Sequence, residues 1–101
     1  MTTNQVMTDA VLFRSAEANG EVFDAETPRE KWAAGTLVRP LRCKSRVLLP
    51  KGTRVLMAQV PRYLYWIAFH PSLEGWDSIP GNATATINPS IVLGGHGWAR
   101  A

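Results

Sequence analysis

The stretch from residue 36 to residue 70 contains no aspartate and no glutamate, while it carries seven cations: Arg39, Arg42, Lys44, Arg46, Lys51, Arg54 and Arg62. Other scarcities bound the chain further. It has a single cysteine, Cys43, which excludes an intramolecular disulfide and suits a reducing, cytoplasmic compartment. Its two histidines, His70 and His96, stand at no metal-ligand spacing to each other or to Cys43, so no metal and no cofactor are expected. No apolar run approaches the roughly 20 residues needed to span a bilayer, and Met1 to Asp9 lacks the basic and apolar pattern of a secretory leader. Phosphate-loop, nucleophile-elbow and paired-carboxylate motifs are missing too, and a non-enzymatic protein is therefore expected.

What is present is a charge division. Residues 1–35 hold three cations against six carboxylates, and residues 71–101 one against two, so the segments carry −3, +7 and −1 and sum to +3. A domain of 101 residues with 46% hydrophobic and 19% charged side chains folds around its own core as one unit. Segregated charge on its surface produces a local field that points to an anionic partner.

The order of elements follows from turn chemistry and periodicity. Residues 8–24 admit two readings. One is an N-terminal helix capped by Thr8 and ended by Gly20. The other is a hairpin turning at Asn19-Gly20, preferred because Val, Phe and Leu dominate the apolar positions. Thr27-Pro28-Arg29-Glu30 has the form of a capping box with proline at the first helical position. It predicts a short helix over residues 28–34, ended by Gly35 and anchored by Trp32.

Residues 37–49 alternate as one long strand, with Arg42, Lys44 and Arg46 on a cationic face and Cys43 on an apolar one. Pro40 places that strand at an edge or at a bulge. Pro50-Lys51-Gly52 then suits a hairpin loop that would pair Leu48 with Arg54 and bring Arg54 onto the cationic face. Residues 63–69 are apolar at both parities, the pattern of a central strand, which assigns Tyr63, Tyr65 and Trp66 to the core. Residues 70–82 read as loop, and residues 83–87 and 91–93 as two short last strands. The expected fold is mainly β, a small antiparallel barrel or sandwich of SH3-like size, forming a single domain over residues 1–101.

The candidate site is the basic face: Arg42, Lys44, Arg46, Lys51, Arg54 and Arg62. Edge protection also uses charge, but it does not require one sign seven times. Trp76 and Trp98 lie in glycine-rich stretches and are candidate apolar anchors, or else plugs for an open end of the fold. The leading expectation is an interaction protein that docks its basic hairpin on an acidic protein surface or a nucleic-acid backbone. Such a chain would suit a small accessory or inhibitor protein of a mobile element. The alternative is a structural subunit of a homo-oligomeric or virion-like assembly, in which the +7 face of one copy meets the acidic N-terminal segment of the next. A basic β-barrel ribonuclease is the remote third. Neither a membrane nor a small-molecule substrate is expected as a partner.

Overall fold

The computed structural model describes residues 7–63 and 65–94. These form a mainly β fold with one α-helix, α1 (Asp9–Asn19), and seven strands. The strands are β1 (Ala33–Leu37), β2 (Leu41–Cys43), β3 (Arg46–Leu49), β4 (Arg54–Val60), β5 (Tyr65–Phe69), β6 (Thr84–Ile87) and β7 (Val92–Gly94). Five make an antiparallel sheet in the order β6-β5-β4-β1-β7, and β2 and β3 pair separately as a two-stranded sheet. No helix among the described residues is long and apolar enough to cross a membrane.

Residues 8–24 settle as helix followed by loop, and the preferred hairpin is overturned. Thr8 Oγ1 accepts the Val11 N–H at 3.3 Å, Asp9 sits in the first turn, and Gly20 closes the helix at φ 81°. Leu12 and Ala16, four apart and fully buried, give the helix its core stripe. Three alanines favour helix over strand. Asn19 donates from Nδ2 to the Gly81 carbonyl at 3.0 Å, which ties the helix end to the loop before β6.

The helix expected over residues 28–34 shrinks to a 3-10 turn at Arg29–Lys31. The reason lies just upstream. The Asp24 carboxylate accepts both the Thr27 hydroxyl at 2.9 Å and the Thr27 N–H at 2.8 Å, so Thr27 is not free to cap a helix. The Trp32 indole N–H is buried against the Thr27 carbonyl at 2.9 Å, and the chain leaves it extended. Gly35 stops no helix; it lies inside β1, between Val55 and Gly94. A Cβ there would meet Val92 Cγ1 at 2.5 Å, so glycine is what lets β7 approach.

The long strand expected over residues 37–49 is broken twice. Val38 donates to the Ile91 carbonyl at 2.8 Å, Pro40 has no N–H to continue the ladder, and β1 ends at Leu37. The chain then folds back at Lys44-Ser45, pairing Cys43 with Arg46 and Arg42 with Val47. Gly52 takes the left-handed conformation expected of it, at φ 92°. The turn it makes does not pair β3 with β4, however. Gly52 donates to the Leu37 carbonyl at 2.8 Å and Leu37 to the Thr53 carbonyl at 2.9 Å. The chain thereby crosses from the small sheet into the large one, where β4 pairs with β1 and β5.

Alternation divides the large sheet into two faces. Val55, Met57, Leu37, Ala85, Ile87 and Val92 share one face and are buried. Leu56, Ala58, Val60 and Phe69 share the other, the side from which Arg54 reaches the first turn of α1. Both faces are therefore covered, and the buried apolar side chains form one core.

Candidate functional site: a cationic hairpin

Of the six basic residues expected to form one face, the structure keeps four near the small sheet and sends two elsewhere. Arg54, at the start of β4, donates from Nε to Asp9 Oδ1 at 2.8 Å and from Nη2 to Asp9 Oδ2 at 3.0 Å. Its Nη1 also holds Thr36 Oγ1 at 2.9 Å. The bonds from Arg54 to Asp9 hold the Asp9 carboxyl below its ordinary range, against a smaller opposing effect of burial. Arg62, past the end of β4, pairs with Glu26 at 3.0 Å. A third ion pair, Arg29 with Glu17 at 3.4 Å, consumes another N-terminal carboxylate.

The remaining cations lie between residues 39 and 51. Arg39 sits in the connection from β1 to β2, Arg42 on β2, Lys44 at the hairpin tip, Arg46 at the start of β3, and Lys51 in the turn after β3. All five are exposed, and none makes an ion pair among the described residues. The strands that carry them are only three and four residues long, or roughly 13 Å, so the five cations crowd one small surface. Val47, paired with Arg42, is 46% exposed on the same outer face. Leu41 and Leu49 are buried beneath and fix the hairpin to the core.

The hairpin's other face looks across a groove of about 480 Å³ to residues 76–78. Arg46 donates from Nη2 to the Trp76 carbonyl at 2.9 Å and braces the two sides together. Cys43, expected to be buried, is instead half-buried and lines this groove. The fold-back at Lys44 turns it away from the core that an unbroken strand would have offered.

Trp76 is half-buried, packs against the core, and donates its indole N–H to the Thr84 carbonyl at 2.7 Å. That anchorage suits the plug more than a free apolar anchor. Trp98 lies outside the described residues. Aromatic exposure appears instead where burial was expected. Tyr63 and Tyr65 are 61% and 42% exposed, and their rings stack at 5.8 Å between centroids. β5 is fully covered only towards Ala68 and Phe69; at its start Tyr65 is exposed, while Trp66, expected in the core, is half-buried and packs against it. Proline and arginine at residues 61 and 62 mark that outer turn in the sequence, and could have signalled it.

His70 closes β5 and is 3% exposed. Its Nδ1 accepts the Ser72 N–H at 3.0 Å, while the buried Nε2 has no partner among the described residues. Burial pushes its pKa below the ordinary imidazole value. Among the described residues no three His, Cys, Asp or Glu side chains gather as a metal site. Comparison of the chain with family models, with curated proteins and with solved structures finds no match in any of the three.

Proposed function

We propose that this chain is a non-enzymatic binding protein that docks its β2–β3 hairpin on the phosphate backbone of a nucleic acid, in a cytoplasmic compartment where Cys43 stays reduced. One observation carries the proposal: Arg39, Arg42, Lys44, Arg46 and Lys51 are exposed without a carboxylate partner among the described residues, while Arg54 and Arg62 are neutralised within the chain. Unpaired cations of one sign, close together, gain most from displacing the counterions of a polyanion.

Two further observations favour a nucleic acid over an acidic protein or a second copy. Protein interfaces are held by buried apolar anchors, and Trp76, a candidate for that role, is tied inward through Thr84. Assembly through the acidic N-terminal segment would need its carboxylates, of which Asp9, Glu17 and Glu26 already bind cations of the same chain.

The test is charge reversal at Arg39 and Arg42, whose side chains make no hydrogen bond or ion pair among the described residues. The R39E/R42E variant should lose about tenfold or more in affinity for a generic oligonucleotide, measured by fluorescence anisotropy. Its melting temperature should match the parent, since exposed substitutions shift stability little. Unchanged oligonucleotide affinity, or a parent that binds no oligonucleotide and instead captures an acidic protein, would refute the proposal.

A further inference from the structure

Among the described residues only Lys44 and Ser78 combine a side chain with a left-handed backbone, at φ 59° and φ 70°. They lie far apart in the chain, and both line the groove between the hairpin tip and residues 76–78. Left-handed positions favour glycine, and the chain uses glycine at several others, Gly20, Gly52 and Gly75 among them. Here alone it keeps a lysine and a serine, accepting strain on both walls of one groove. The lysine stands at the first turn position of a two-residue hairpin, where glycine or asparagine is usual.

The groove's chemistry is uneven. Lys44 and Arg46 supply cationic donors, and Ser45 and Ser78 supply hydroxyls. Arg46 is already oriented by its bond to the Trp76 carbonyl, which leaves the rest of its fork free for a ligand. Asp77 adds a carboxylate, but its oxygens accept the Ile79 N–H at 3.1 Å and Asn82 Nδ2 at 2.8 Å, so it is engaged in shaping its own loop. The net charge of the lining is therefore +1, enough for one anionic group. The volume exceeds what a phosphate alone needs, and Trp76, half-buried, is among the residues that line it.

Resting on the proposal that the hairpin binds nucleic acid, we infer that this groove holds one unpaired nucleotide of a bound strand, with its phosphate on Lys44 and Arg46 and its base in the space between the hairpin tip and residues 76–78. The chain would then prefer single strands to duplex, because only an unpaired base can enter.

The probes are inorganic phosphate, adenosine 5′-monophosphate and a single-stranded oligonucleotide, titrated against the full chain. The readouts are calorimetry and the rate at which a thiol reagent labels Cys43 at the groove's edge. Adenosine monophosphate should bind more tightly than phosphate, slow Cys43 labelling, and be displaced by the oligonucleotide. Lys44→Gly and Ser78→Gly should each weaken adenosine monophosphate by about tenfold while the melting temperature holds or rises, because glycine relieves the strain. Lys44→Arg should retain binding. Absence of nucleotide binding, no protection of Cys43, failure of the strand to compete, or glycine variants that bind like the parent would each overturn the inference. The two proposals fail separately: R39E/R42E lies outside the groove and Ser78 outside the basic hairpin, so weakened strand binding in R39E/R42E with full nucleotide and strand binding in Ser78→Gly would retain the hairpin and discard the groove.

Discussion

Arg54 grips Asp9 through two parallel hydrogen bonds, Nε to Oδ1 at 2.8 Å and Nη2 to Oδ2 at 3.0 Å, joining the start of β4 to the first turn of α1. The pair is an internal tie that takes one arginine out of the basic surface. Because both side chains are more than a third exposed, water screens the interaction. Asp9→Asn should therefore cost no more than about 1 kcal/mol in chemical denaturation. Asp9's pKa is depressed, so the tie contributes fully above the ordinary carboxylate value of 3.8 and is lost as pH falls through the lower folded value. Oligonucleotide affinity of Asp9→Asn should stay at the parent's level or rise slightly as Arg54 is freed. A large fall would show that this tie shapes the binding surface.

His70 and Asn88 make the same turn. Each precedes a Pro-Ser step and accepts the serine N–H at 3.0 Å, through Nδ1 in one case and Oδ1 in the other. Only His70 titrates near neutrality, and burial lowers its folded pKa. The unfolded chain thus binds this proton first. The associated stability is present above the unfolded value of 6.5 and declines as pH drops below it towards the folded value. His70→Asn should keep the turn and flatten the melting-temperature profile between about pH 7 and 5. An equally steep profile in the variant would assign the acid sensitivity to other groups.

Gly35→Ala tests the close approach of β1 and β7. The added methyl meets Val92 Cγ1 at 2.5 Å and the Leu93 carbonyl at 3.2 Å in a position flanked on both sides by strands. A loss of about 1–3 kcal/mol in urea unfolding is expected, the usual cost of overpacking. Parent-like stability would mean that β7 moves away freely and is not a fixed part of the sheet.

Much of this molecule is legible in its sequence, and the rest is hidden for definite reasons. The mainly β class, the left-handed Gly52, the loop after His70 and the last two strands all follow from turn residues and alternation. The helix at Asp9–Asn19 was signalled by Thr8 and Gly20, yet its valine, leucine and phenylalanine fit a strand equally well. A fold-back at Lys44-Ser45 carries no glycine, asparagine or proline to announce it, so the alternation of residues 37–49 continues unbroken through it. Gly35 looks like a helix stop because its need, the nearness of Val92, comes from a strand more than fifty residues away. For the site, charge sign was readable but charge pairing was not. That Arg54 and Arg62 meet Asp9 and Glu26 depends on where α1 and the following loop pack.

The salt dependence of oligonucleotide affinity tests the central claim most directly. If Arg39, Arg42 and Lys51 each engage a phosphate and Lys44 and Arg46 share one, the logarithm of the binding constant should fall against the logarithm of salt concentration with a slope of about −2.8 on single strands. In R39E/R42E the slope should shrink to about −1.4. A parent slope near zero, or the same slope in parent and variant, would contradict the assignment of the hairpin as a phosphate-binding surface.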